Sequence, residues 1–277
     1  MKKVLIIGKN SYIGDSFVKF AENRFDITVI GSENGLWKEA DFKQFDSVLN
    51  CAGIAHVSQK KQMQQLYDEI NGDLAGELAR HCKEHGVKQF IFLSSILVYG
   101  SESGEITGAT IPQPLCYYGR SKLRGEGLVA ALSGDDFRVC IVRPPMVYGP
   151  GCKGNFPRLI KLARMTPIFP QIENRRSMIY IQNLCSFFTH IIENESSGVF
   201  MPQNSEYVNT THLVRIIREL QGRKMLETRL FNAPIKLAAR FVSPLEKLFG
   251  SLVYLQGDSS YNIVGFRESI ENSIAKV

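Results

Sequence analysis

Tyr118 and Lys122 stand four residues apart, so a helix would project both from one face. A phenol exchanges protons poorly at neutral pH, its free pKa being about 10. An ammonium beside it favours the phenolate and lowers that pKa. The pair is a candidate general acid/base for an alcohol or ketone oxygen. Tyr117 has no lysine four residues on, so Tyr118 is the candidate. Ser95 follows the apolar run Gln89–Leu93, at the carboxyl end of an expected parallel strand, where ligands bind in such sheets. Its hydroxyl can bond the same oxygen. A tyrosine before a lysine is also common on solvated helices, and a serine after a strand is often a cap. The surrounding elements must therefore decide.

Val4–Ile7 reads as a buried strand running into Gly8-Lys9-Asn10-Ser11-Tyr12-Ile13-Gly14 and then a helix to about Asn23. Amides at a helix start, with the macrodipole, bind a pyrophosphate. Gly8 permits the tight turn and Gly14 close helix packing, while Ser11 sits where a middle glycine is usual. Ile27–Ile30 is a second strand, followed by Gly31-Ser32-Glu33 and no Asp at the tip. Lys9 or Ser32 can meet a 2′-phosphate, so the cofactor is NAD or NADP. The connection from Gly31 to Phe45 is short, and any crossover in it must be trimmed. Asp41-Phe42 lies over the adenine or is a plain helix start. Asp46–Asn50 ends in Asn50-Cys51-Ala52-Gly53, small residues that admit a cofactor ring. Ser94 and Pro144, beside strand ends, join the cofactor set. Asn71 is either polar glue in the core or part of a proton relay behind Lys122.

Met63–His85 has Leu66, Ile70, Leu74, Leu78 and Cys82 at four-residue steps, which predicts one long helix. Ser101–Cys116 reads as a loop bordering the site, and Phe137–Val142 as a strand. Further helices are expected over Asn155–Met165, from Thr210 to about Leu220, and over Phe266–Ala275, with a strand at Met178–Ile181. Phe231–Gly250 is apolar at helical spacing, read as packing and not membrane contact. The expected fold class is α/β, a Rossmann-type doubly wound parallel sheet with a small C-terminal lobe. Residues 1–145 with parts of 178–210 would form the dinucleotide domain, and about 146–177 and 211–277 the interleaved lobe.

The 277 residues are 44% hydrophobic and 22% charged, ordinary for a globular chain with a large core. A net charge of +6, with scattered basic residues, suits modest steering of an anionic ligand and shows no nucleic-acid stripe. Six widely spaced cysteines without CxxC argue against a structural metal and for reduced thiols in the cytoplasm. The apolar run after Met1-Lys2-Lys3 is too short for a secretion signal, and no run reaches a membrane span.

Gly8…Gly14, Asn50-Cys51-Ala52-Gly53, Ser95 before Val98-Tyr99-Gly100, Tyr118…Lys122 and Arg143…Tyr148-Gly149-Pro150 occur in order. Together they resemble the extended short-chain dehydrogenase/reductases, and within them the NAD-dependent epimerase/dehydratase group acting on nucleotide sugars. The stretches around Tyr148–Phe156 and Asn174–Ser177 are similar to members of bacterial polysaccharide pathways. The resemblance implies hydride transfer at C4 of a UDP-hexosamine-type sugar, as a 4-epimerase or a 4-keto-sugar reductase. It gives Tyr118 the acid/base role, Lys122 the nicotinamide ribose, Ser95 the substrate oxygen and Asn71 support of the lysine. Arg176 would hold the substrate pyrophosphate, with His56, Met146, Asn155 and Asp258 on the substrate side. Met146 stands where many sugar epimerases have asparagine. The family also implies a homodimer through the Met63–His85 and Tyr118 helices. A non-catalytic NAD(P)-sensing protein on the same fold is the alternative from another class.

Overall fold

The computed structural model describes residues 1–55, 61–100, 104–239 and 241–275. The chain forms two compact units. The first comprises Met1–Gly100, Ile111–Pro145 and Ile181–Pro202; the second comprises Ser101–Thr110, Met146–Tyr180 and Gln203–Val277.

Six strands build the first unit: β1 (Lys3–Ile7), β2 (Asp26–Ile30), β3 (Ser47–Asn50), β4 (Gln89–Leu93), β5 (Arg138–Val142) and β6 (Gly198–Phe200). All pairings are parallel, in the order β6-β5-β4-β3-β1-β2. Val4, Leu5, Ile6 and Ile7 are all fully buried, as expected of a strand covered on both faces. Alternation sends Leu5 and Ile7 into a core with Val48, Phe90 and Phe92. On the other side Phe17, from helix α1 (Tyr12–Ala21), meets Phe188 edge-on at 5.8 Å. Each such fully buried side chain contributes about 1.5–3 kcal/mol. The strand order turns between β1 and β3, so the crevice at their carboxyl ends is the expected ligand site of such a sheet. The short stretch after Gly31 holds no strand; it folds as two 3₁₀ helices, Glu33–Glu39 and Phe42–Gln44.

The expected single helix over Met63–His85 is composite. A 3₁₀ turn (Lys61–Met63) and a short helix (Gln64–Tyr67) lead into a π segment, Asp68–Asp73, and then helix α2, Leu74–Glu84. Upstream of Leu78 the buried face lies one residue from the expected one. Tyr67, Asn71 and Ala75 are buried while Leu66 is exposed. Helix α3, Tyr117–Ala130, packs against this π segment. Gly125 makes the approach possible, since a Cβ there would stand 2.6 Å from the Asn71 carbonyl oxygen.

The second unit contains helices Asn155–Met165, Thr210–Leu220 and Phe266–Ile274, close to the expected spans, and three two-stranded parallel sheets. Several of its buried polar groups are paired. Tyr148 Oη shares a hydrogen with Ser269 Oγ at 2.6 Å and accepts from Asn204 Nδ2 at 2.9 Å. Part of the expected 101–116 loop is a strand, Gly104–Ile106, paired with Leu252–Tyr254. The Phe231–Gly250 stretch forms helices Asn232–Ala239 and Ser243–Phe249. The expected packing of its apolar residues forms only in part: Phe249 meets the buried Phe169 ring at 5.8 Å, whereas Phe231, Leu237, Phe241 and Val242 are exposed. No described helix is long and apolar enough to cross a membrane.

Candidate active site

Helix α3 presents Tyr118, Lys122 and Glu126 at four-residue steps, one stripe facing the sheet. The Ser95 hydroxyl lies near enough to the Tyr118 phenol to lower its pKa. Ser95 also caps the 3₁₀ helix Ile96–Tyr99, its Oγ accepting from Leu97 N at 3.2 Å, so the cap and the site share one atom. The Tyr67 ring meets the Tyr118 ring edge-on at 6.3 Å.

Burial pushes the Tyr118 phenol up to about 12, with Ser95 pulling it back only in part. This differs from the expectation that Lys122 would lower it. Desolvation outweighs the other influences on both groups, and it drives Lys122 down to about 8 against the raising effects of Cys51 and Glu126. The Lys122 ammonium lies 4.9 Å over the Phe92 ring. A Cβ on Gly53 would stand 3.0 Å from Lys122 Nζ and 2.8 Å from Asn71 Oδ1, so all three converge. Asn71, in the π segment, accepts from Ile54 N at 2.9 Å and donates to the Ile54 carbonyl and to Ser121 Oγ at 3.0 and 3.1 Å. It fastens the loop after β3 to both helices. The extra residue of a π turn re-aims a side chain in this way, and such turns recur at functional sites.

The glycine turn fits a dinucleotide. Gly8 has φ 121°, and a Cβ there would come within 2.8 Å of Ala52 N; Asn10 is left-handed at φ 60°. Ser11 caps α1, its Oγ accepting from Gly14 N at 3.4 Å, so a capping hydroxyl stands where a middle glycine is usual. Lys9, Tyr12 and Ile13 complete the turn into the helix. Burial pushes the Cys51 thiol up to about 12 although Ser11 and Lys122 oppose this, so it is an inert wall. Ala52 is buried beside it.

Other expected residues fall differently. Phe42 is fully buried, edge-on to His81 at 4.7 Å and Trp37 at 6.4 Å, so it is core and not an adenine cover. Asp41 is the plain helix start, capping through Lys43 N at 3.1 Å. Ser32 precedes the 3₁₀ helix Glu33–Glu39 without a side-chain cap. Ser94 Oγ donates to Glu126 Oε1 at 2.5 Å, which turns it beneath the site. Pro144 is buried, and its carbonyl accepts from Ile96 N at 3.0 Å, joining the turns after β4 and β5. His56 lies outside the described residues. In the second unit, Met146 is half-buried on a strand paired with Met178–Tyr180. Asn155 starts its helix, exposed. Arg176 Nη1 donates to the Gly250 carbonyl at 3.1 Å, and exposed Asp258 accepts from Ser260 N at 2.9 Å.

Two features escape the sequence reading. Arg143 holds Glu126 bidentately, Nε to Oε1 at 2.9 Å and Nη2 to Oε2 at 2.5 Å, and donates to Tyr99 Oη at 2.6 Å. The spacing of Glu126 from Lys122 was the available signal. Glu33 folds its carboxylate over Gly31 at the tip of β2, into the space a Cβ would fill.

This is the arrangement of a nicotinamide-dependent enzyme on a dinucleotide fold. Residues 4–201 match the NAD dependent epimerase/dehydratase family, and the chain belongs to it. It is an extended short-chain dehydrogenase/reductase, and its cofactor is NAD or NADP. The chain is 31% identical over 245 residues to a UDP-glucose 4-epimerase of Vibrio cholerae, covering 77% of this chain and 74% of that protein. It is 22% identical over 178 residues to a dTDP-4-keto-6-deoxy-D-glucose reductase of Streptomyces niveus, covering 64% and 61%. A Bacillus cereus UDP-glucuronic acid 4-epimerase solved with NAD superposes with a TM-score of 0.76 at 19% identity, covering 99% and 96% of the two chains.

Proposed function

We propose that the protein is a 4-epimerase of a UDP-activated hexose or hexosamine, using NAD that stays bound through the cycle. The observation that carries this is the convergence of Ser95, Tyr118, Lys122 and Asn71 beside the glycine turn. The cofactor, when bound, supplies the hydride acceptor and donor. Tyr118 moves the proton at the sugar oxygen, and Ser95 hydrogen-bonds that oxygen. Lys122, still mostly cationic at pH 7, holds the nicotinamide ribose, and Asn71 keeps the Gly53 backbone against it. Glu33, at the tip of β2, accepts from the adenosine ribose hydroxyls and disfavours a 2′-phosphate, which supports NAD over NADP. On the substrate side we assign Arg176 to the pyrophosphate, with Met146, Asn155 and Asp258 nearer the sugar and base. A cytoplasmic homodimer is part of this reading.

A 4-keto-sugar reductase is the second reading. The observation favouring it is the Tyr118 phenol, pushed up to about 12 and hence protonated, ready to donate to a ketone. The test is to denature purified protein, identify released nucleotide by chromatography, and follow UDP-hexoses by NMR. Retained NAD with inversion at C4 supports the epimerase. An empty protein that oxidises NADPH with a 4-keto sugar establishes the reductase instead. No binding of either nucleotide overturns both.

A further inference from the structure

The second unit carries an exposed apolar face with exposed basic residues close by in sequence. Its two-stranded sheet sets Ile168 beside Leu226. Partners in register point to the same face, and these two are 48% and 63% exposed, while Phe169 on the opposite face is 2% exposed. Just beyond this strand pair, Leu230 is 83% exposed and Phe231 is exposed too. The helix Asn232–Ala239 is tied back by Asn232 Nδ2 to the Gln171 carbonyl at 2.8 Å. Beyond it Phe241 is 83% exposed.

The sequence of this segment is one-sided in charge. Residues 223–247 contain six basic side chains (Arg223, Lys224, Arg229, Lys236, Arg240, Lys247) against two acidic ones, Glu227 and Glu246. That segment therefore carries four of the chain's six net positive charges. Arg223, Lys224 and Arg229 are exposed. Arg223 is steadied on the Arg164 carbonyl at 2.7 Å and Arg229 on Gln171 Oε1 at 3.0 Å. Glu227 is taken up by Arg215 at 2.5 Å.

We infer that this face docks on an anionic lipid surface. Exposed Leu and Phe beside Lys and Arg is the composition of segments that lie in a membrane interface. The helices here, Asn232–Ala239 and Ser243–Phe249, are far too short to span. A second copy fits less well, because a two-fold contact would set one cationic face against another. Apolar side chains enter the headgroup boundary, and the basic ones meet lipid phosphates. This goes beyond the catalytic reading and does not rest on it.

The test is flotation of the full chain with phosphatidylcholine vesicles, with and without phosphatidylglycerol, at low and high salt. Binding is expected to the anionic vesicles and to weaken with salt. Leu230→Ser with Phe241→Ser, and separately Arg223→Glu with Lys224→Glu, should each lower it at least about tenfold. Circular dichroism and nucleotide binding should stay unchanged in both. No vesicle binding overturns the inference, as does equal binding to neutral and anionic vesicles. A concentration-dependent dimer that the Leu230 and Phe241 changes abolish would assign the face to self-association and also overturn it.

Discussion

Replacing Lys122 by Met is expected to stabilise the fold while removing activity. Lys122 is 4% exposed and its ammonium is held at about 8 against an ordinary 10.5, burial being the chief cause. At 1.36 kcal/mol for each tenfold, the charged form is disfavoured by about 3.4 kcal/mol. Methionine keeps most of the volume and loses the cation–π contact with Phe92, worth about 1 kcal/mol. The net gain at pH 7 is about 2 kcal/mol, a rise of about 4 °C in Tm for a chain of this size. The pH dependence fixes the cause. Between pH 8 and 10.5 the unfolded chain binds more protons than the native one, so wild-type stability rises there with pH. Below pH 8 the cost is fully present. Urea unfolding of nucleotide-free protein at pH 7 and near pH 10 measures both points. The variant should lead at pH 7, and its lead should shrink at high pH. A less stable variant at pH 7, or a lead indifferent to pH, would refute the claim that a strained buried ammonium sits at Gly53.

Glu126→Gln breaks the bidentate pair and leaves the half-buried Arg143 with a neutral partner; a loss of about 3 kcal/mol in urea unfolding is expected. Gly125→Ala drives a Cβ to 2.8 Å from Phe92 Cζ as well as onto the Asn71 carbonyl. It should cost about 2 kcal/mol, and a neutral result would contradict the close packing of α3 on the π segment. Glu33→Ala should shift the ratio of NAD to NADP affinities toward NADP by about tenfold, read by fluorescence titration.

The glycine turn, the strand ends and the Tyr118–Lys122 pair were legible because each depends on local spacing. Val4–Ile7 is apolar on both faces, Gly8 needs its positive φ, and four-residue steps survive intact in a regular helix. What was not legible depended on partners distant in sequence. The π turn at Asp68–Asp73 leaves no mark in a periodicity reading, yet it decides that Tyr67 and not Leu66 is buried. Phe42 looked available to a ligand because nothing local shows that His81 and Trp37 close around it. The sign of the Tyr118 shift is hidden for the same reason. Adjacency of a cation can be read from spacing, whereas the desolvation that outweighs it cannot. Phe231–Gly250 shows the converse, since apolar residues at helical spacing do not reveal whether anything covers them.

The central claim is that the site on α3 moves a hydride at C4 of a nucleotide sugar with Tyr118 moving the proton. A UDP-hexose deuterated at C4 tests it most directly, with the product followed by NMR. The wild-type protein should invert C4 and keep the deuterium there, and Tyr118→Phe should bind NAD unchanged while losing about a thousandfold in rate. Inversion with protium at C4, or a Tyr118→Phe protein as fast as wild type, would contradict the account.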